Sequence, residues 1–158
     1  MSASSEASAV AAARDDTEYV TFRVADQWLG IPVVTVQEVL TAERIARVPL
    51  APAEVAGFLN LRGQIVSAID LRARMGLPPR DKDQRFMNVV VRDRDELFSF
   101  LVDEVGDVQT VGAEGLERPP VTLDPRWRQV CDGVVRRKTD LLVSVNAVKL
   151  LNLGDPAV

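Results

Sequence analysis

Apolar and polar residues alternate with a period of two along much of this chain, and Gly, Pro, Asp and Asn interrupt the alternation at short intervals. Val20, Phe22 and Val24 alternate with Thr21 and Arg23, the period of a strand with one buried face. Asp26-Gln27 supplies a turn, and Trp28 to Val33 returns, with Pro32 marking a strand end or a sheet edge. Val33, Val36 and Leu40 share a helical face, so residues 34–40 are read as a short helix although valine favours strands. Ile45 to Val48 forms a further short strand before Pro49 and Pro52 bend the chain. Phe86 to Val91 and Leu97 to Val102 make a hairpin around Asp93–Glu96, and Val105, Val108 and Val111 continue as a strand or a bent strand pair. Residues 112–129, with Pro119-Pro120 and Pro125, form a long surface connection. Val130–Val135 and Leu141–Val145 form a last hairpin turning at Arg136–Asp140, and Ala147 to Leu153 closes as a short helix.

The densest local pattern is Gly57 to Arg72, GFLNLRGQIVSAIDLR. Leu59 and Leu61 alternate with Asn60 and Arg62, and Gly63 then provides a residue that adopts positive φ without steric cost. Gln64 to Ile69 is almost wholly apolar, as in a strand covered on both faces. Asp70 caps a helix from Leu71 to Met75, Gly76 suits its C-terminal cap, and Pro78-Pro79 stops it. One exposed cation, Arg62, is left at a rigid turn.

The chain also echoes itself. Ile65-Val66…Ile69-Asp70 aligns with Leu141-Leu142…Val145-Asn146, and Val36-Gln37-Glu38-Val39 aligns with Val102-Asp103-Glu104-Val105. In the first pair a strand runs into an Asp or Asn cap; in the second the segment follows a hairpin. The reading is a mostly β fold with short helices, built as two related lobes of about 17–80 and 81–153 in one domain, residues 17–153. A disordered tail, 1–16, precedes it and a short tail, 154–158, follows. Many short strands with Gly and Pro punctuation favour small barrels over a sandwich.

Composition narrows the function. Of 158 residues 47% are hydrophobic and only 5% aromatic, so aliphatic side chains must fill the core. The net charge of −4 argues against a nucleic-acid binder. The absence of histidine removes Ser-His-Asp and Cys-His catalysis, His-ligated metal and histidine phosphorelay. The single cysteine, Cys131, forms neither an internal disulfide nor a Cys-rich zinc site and reads as a small buried hydrophobe. The N-terminal stretch lacks the pattern of a secretory signal, and no apolar run reaches the length of a membrane span, so a cytoplasmic protein is expected.

Candidate chemistry is sparse. Asp103, Glu104 and Asp107 lie close in sequence, but on a strand edge and turn where solvation is usual and acid–base work is disfavoured. Arg136-Arg137-Lys138 reads as a solvated hairpin tip ahead of a phosphate grip. Neither a Walker pattern nor a dinucleotide fingerprint occurs. Tyr19 and Phe22 point to opposite faces of one strand and do not form a stacking platform for a nucleic acid. Gly57, Gly63 and Gly133 serve backbone geometry at turns.

The run Gly57-x-x-Asn60-Leu61-Arg62-Gly63-x-Ile65-Val66-x-x-Ile69-Asp70-Leu71-Arg72 resembles the signature of CheW-like chemotaxis coupling proteins. Phe22 to Val39 resembles that family's opening hairpin and Val-x-Glu-Val segment, Asp103 to Val108 its central Asp-x-Val-x-x-Val, and Val143 to Leu151 its closing strand and helix. Ser67-Ala68 stands where a proline is common. The resemblance implies two five-stranded OB- or SH3-like barrels that exchange strands, and a non-enzymatic adaptor without cofactor. Its implied partners are the cytoplasmic tips of methyl-accepting chemotaxis receptors and the regulatory domain of a CheA-type histidine kinase, in arrays at the membrane. The receptor-binding residues it implies are Val36, Glu38, Val39, Arg62 and Val105. The alternatives are an OB-like nucleic-acid-binding module and the coupling domain of a related chemosensory scaffold; an isolated adaptor is expected over a CheV-type fusion.

Overall fold

The computed structural model describes residues 16–41 and 45–152. Among these described residues there are ten strands: β1 (Asp16–Val24), β2 (Gln27–Pro32), β3 (Val36–Thr41), β4 (Val55–Leu61), β5 (Gln64–Asp70), β6 (Met87–Asp93), β7 (Glu96–Val102), β8 (Glu104–Gly112), β9 (Cys131–Arg136) and β10 (Leu141–Val145). Three short helices accompany them, α1 (Leu71–Arg74), α2 (Pro125–Arg128) and α3 (Ala147–Asn152).

The strands form two five-stranded sheets, ordered β8-β1-β2-β10-β9 and β3-β6-β7-β5-β4. The two orders are the same pattern with the halves of the chain interchanged. After hairpin β1–β2 the chain crosses over, and β3, β4 and β5 join the sheet that β6–β7 will complete. After β6–β7 it crosses back, and β8, β9 and β10 complete the sheet of β1–β2. Parallel pairing seals one seam in each sheet: Val143 and Ser144 of β10 lie opposite Leu29 and Gly30 of β2, and Ser67 to Asp70 of β5 lie opposite Phe98 to Leu101 of β7. The two lobes are therefore strand-exchanged. A cut near residue 80 does not separate them, because it would divide β5 from the strand it pairs with.

Each sheet curls until its edges meet. Ala46, which follows β3 at one edge, exchanges two backbone hydrogen bonds of 2.7 and 2.8 Å with Phe58 of β4 at the other. Glu117, which follows β8, does the same with Val134 of β9 at 2.8 and 2.9 Å. Edge groups that invite aggregation are thereby partly paired. The repeat extends to the caps. The Asp70 carboxylate accepts the Arg72 N–H at 3.0 Å ahead of α1, and the Asn146 amide oxygen accepts the Lys149 N–H at 3.1 Å at the start of α3.

Three apolar clusters fill the molecule. Leu59, Leu61, Val66, Ala68, Val90, Leu97 and Leu101 form the interior of one lobe; Tyr19, Val111, Val135 and Leu142 form that of the other. The largest cluster is shared. Phe22, Leu29, Ile31, Val134 and Val143 from one sheet meet Ile69, Val89, Val91, Phe100 and Val102 from the other, joined by Leu71, Trp127 and Leu150. Full burial of a Phe or Leu contributes about 1.5–3 kcal/mol, so the junction between the lobes is itself a major source of stability.

Several local expectations are corrected. Residues 34–40 are not a helix: a single 3₁₀ turn, Val33–Thr35, leads into strand β3, where pairing with β6 outweighs the helical spacing of the valines. Ile45 to Val48 is not a strand beyond the bridge at Ala46. The first hairpin turns at Ala25-Asp26, one residue earlier than expected. The 112–129 connection is anchored by buried Leu123 and Trp127, so it is not confined to the surface. β5 is covered on both faces only from Val66 onward, since Ile65 is 62% exposed. Asp16, assigned to a disordered tail, opens β1; the remaining tail assignments, 1–15 and 154–158, and the expected helix end at Leu153 lie outside the described residues.

Of the three glycines ascribed to turns, only Gly63 occupies one; Gly57 lies within β4 and Gly133 within β9. Gly57 sits at a β-bulge with φ +146°, and an added Cβ would lie 2.1 Å from the Ala46 carbonyl oxygen. Gly63 has φ +87° but open space around it. Gly63→Ala should therefore cost only the left-handed backbone penalty of about 1–2 kcal/mol. Gly57→Ala should cost more, because it also breaks the edge closure at Ala46. Denaturant midpoints of the two variants check this ranking.

Candidate functional site

Arg62 and Gly63 form the two-residue turn between β4 and β5, with φ of 51° and 87°. Two successive positive φ angles match the right-handed twist of a hairpin. The turn is held from within: the Asn60 side-chain oxygen accepts the Gly63 N–H at 2.8 Å. Arg62 is thus projected from a fixed base. Its guanidinium meets Glu38 of β3 in a two-pronged pair, Nη2 on Oε1 and Nη1 on Oε2, the latter at 3.4 Å. The Glu38 carboxylate raises the Arg62 pKa, first through its hydrogen bond and then through its charge. Because β3 and β4 are opposite edges of the sheet, this pair also marks its closure. Arg62 remains 69% exposed and Glu38 24%, so the pair adds little to stability.

The five residues implied by the resemblance do not form one cluster. Burial alternates along β3, leaving Val36, Glu38 and Leu40 half-buried and Gln37, Val39 and Thr41 exposed. A bulge at Gln37 sets Val36 opposite Val91 and Glu38 opposite Val90, so Val36 shares a face with Val39, which is 36% exposed, and Glu38 shares the other with Leu40. Val105 belongs to the other sheet, on β8 opposite Phe22 of β1. Val36 and Val105 do have one environment in common, since both pack half-buried against the shared core. Beside the Arg62 turn stands an apolar side chain the sequence reading missed, Ile65, paired with Asn60 and largely exposed. The signal available was its position two residues past Gly63, on the outward phase of the alternation.

The acidic trio is not uniformly solvated. Glu104 and Asp107 are exposed, but the Asp103 side chain is fully enclosed. It accepts from Arg72 Nε at 3.1 and 3.0 Å, from Arg80 Nε at 2.6 Å and from the Ala25 N–H at 2.6 Å, and lies 2.8 Å from Arg72 Nη2. Arg80 also donates to both Asp70 oxygens at 3.1 Å and to the Leu101 carbonyl at 3.2 Å. Burial pushes the Asp103 carboxyl up, but Arg72, the Ala25 N–H and Arg80 together outweigh it and hold the group below 3.8. An anion so held is structural, not a general acid or base.

Other candidates are also absorbed into structure. Arg137 stacks over Trp28 at 5.6 Å and pairs with Asp140, and Arg136 lies 3.2 Å from Glu117. Tyr19 and Phe22 are both buried, in different clusters. Cys131 is a buried free thiol whose pKa is raised by burial. A cleft of about 720 Å³ opens elsewhere, between the 45–56 and 79–86 segments, and includes none of the five residues. Among the described residues no helix is long and apolar enough to cross a membrane.

The low folded-state pKa of Asp103 fixes the sign of a pH effect. Its contribution is present above the ordinary carboxylate range and lost as pH falls through the lower folded value. The thermal midpoint should drop on acidification below about 4, and Asp103→Asn should remove part of that dependence; midpoints measured from pH 6 to pH 2 check both.

Comparison with known proteins gives a consistent result. The CheW-like domain family matches residues 18–154. The chain is 32% identical over 120 residues to the probable chemotaxis protein CheW of Rhizobium etli, covering 76% of this chain and 77% of that protein. It is 27% identical over 139 residues to the chemotaxis protein CheW of Treponema pallidum, covering 85% and 82%. The crystal structure of the scaffolding protein TtCheW from Thermoanaerobacter tengcongensis superposes with a TM-score of 0.76 at 25% identity, over 87% of this chain and 94% of that one. With the doubled five-stranded architecture and the Arg62 turn already in view, these matches establish that the chain belongs to the CheW-like family of chemotaxis proteins.

Proposed function

We propose that this protein is a chemotaxis adaptor that couples the cytoplasmic tips of chemoreceptors to the regulatory domain of a CheA-type histidine kinase, acting by binding and not by catalysis. The observation that carries the reading is the Arg62 turn. A non-glycine residue is held in the left-handed region, and its charge is presented beside exposed apolar side chains with a carboxylate partner on the adjoining edge. The positive φ itself suits the hairpin turn, as it does at Arg94, so the recognition reading rests on the exposed charge, its carboxylate partner and the exposed Ile65 beside it.

Receptor tips are helical hairpins, and an amphipathic helix docks through spaced apolar anchors with charges at its rim. Val36 and Val105 supply half-buried anchors from the two lobes, Val39 and Ile65 supply exposed ones, and Glu38 and Arg62 supply charges of both signs. Kinase contact uses strand edges and turns at the ends of the lobes. The adaptor changes kinase output by favouring one arrangement of receptor and kinase over another, and weak contacts multiplied in a membrane-associated array act together. Neither cofactor nor nucleic acid takes part.

Reversing the charge at Glu38 by Glu38→Arg should weaken binding of a receptor-tip fragment at least several-fold and raise the salt sensitivity of what remains. The exchange Glu38→Arg with Arg62→Glu should recover part of the loss if the two act as a pair. Arg62→Ala should leave the thermal midpoint at its native value while impairing receptor binding. Calorimetric titration alongside far-UV spectroscopy checks these outcomes; full binding by all three variants would refute the assignment.

A further inference from the structure

Asp103 is the residue at which the chain crosses from β7 in one sheet to β8 in the other, and everything that grips it comes from elsewhere. Its N–H donates to the Arg23 carbonyl at 2.9 Å. Its carboxylate takes the Ala25 N–H from the β1–β2 turn, the Arg72 guanidinium from α1 behind β5, and the Arg80 guanidinium from the segment before β6. Arg23 of β1 lies 4.0 Å from the Asp103 carboxylate and continues to Glu104 at 3.1 Å. Arg72 also donates to the Pro78 carbonyl at 3.0 Å. One carboxylate thus ties the first hairpin of one lobe to the helix and linker of the other.

The apolar cluster at the junction attracts the lobes without fixing their angle, because hydrophobic burial is non-directional. Guanidinium–carboxylate contacts are directional, and a fully enclosed anion is costly to retain unless its geometry is met. Val36 and Val105 reach the same core from different sheets, so their spacing depends on that angle. We infer that Asp103, gripped by Arg72, Arg80 and the Ala25 N–H, is the lock that sets the orientation of the two lobes, and thereby a positioning residue for helix docking. The docking part rests on the adaptor reading above; the lock does not.

The test places spin labels at Glu96→Cys in β7 and Val108→Cys in β8, in a Cys131→Ala background, and measures the inter-label distance distribution by pulsed electron resonance. With Asp103 intact the distribution should be single and narrow. Asp103→Asn should broaden or split it in protein whose far-UV spectrum and cooperative melting remain native. A folded variant with an unchanged distribution would overturn the lock. Should Asp103→Asn not fold, Arg80→Lys keeps the charge and loses the fork, and the same readout decides. Calorimetry of the unlabelled Asp103→Asn protein with a receptor-tip fragment should show affinity reduced in proportion to the population holding the native angle. Broadened distances with undiminished affinity would refute the positioning role. Absence of receptor binding by the parent protein would refute the adaptor reading and leave the distance result to judge the lock.

Discussion

Neither half of this chain can complete a sheet from its own strands. The first hairpin pairs with β8 and β10, drawn from the second half, while β3 and β5 flank the second hairpin and β4 pairs with β5. Pairing across such sequence distances is costly to initiate, and the loop-closure cost is recovered only when both sheets form. The exchange therefore makes the two lobes a single cooperative unit, with a shared apolar cluster between them. This constraint governs the remaining features. It sets the crossing points at Val33–Thr35 and Asp103, brings opposite sheet edges together, and leaves the Arg62 turn outside the packed interior.

The polar groups follow a division of labour. Where the chain crosses between lobes, Asp103 is enclosed and answered by two arginines and a backbone N–H, and the partly exposed Asp70 is answered by Arg80 and the first turn of α1. Inside the β3-containing sheet, the fully buried Asn88 donates to the Thr41 carbonyl and accepts from the fully buried Ser99, so polar contacts also help fix the register of β3, β6 and β7. At the Glu38–Arg62 turn the charges meet in partial solvent, where they contribute little to folding and remain available to another molecule. The ionic groups that hold the fold are thus distinct from the exposed Glu38–Arg62 pair.

What the sequence disclosed follows the range of the interaction concerned. The Arg62-Gly63 turn, the Asp70 cap and the hairpin at 93–96 are written in neighbouring residues, and each is present. The offset between Asp70 and Asn146 also survives as two helix caps in equivalent places. By contrast β3 looked helical, because the spacing of Val33, Val36 and Leu40 suits a helix and only the distant pairing with β6 overrides it. Asp103 looked solvated for the same reason: its partners are tens of residues away, and Arg72 and Arg80 carry no local mark of their target. Ile65 looked buried within an apolar run, although its phase in the strand places it outward beside the turn.

The central claim is that a helical partner docks at the charged turn and the adjoining strand, at the edge of the junction between the lobes. Amide chemical-shift mapping during titration with a receptor-tip helical hairpin tests it most directly. The account predicts saturable perturbations concentrated at residues 36–41, 60–65 and around Val105. Perturbations confined to the cleft between the 45–56 and 79–86 segments, or none at saturating peptide, would contradict it.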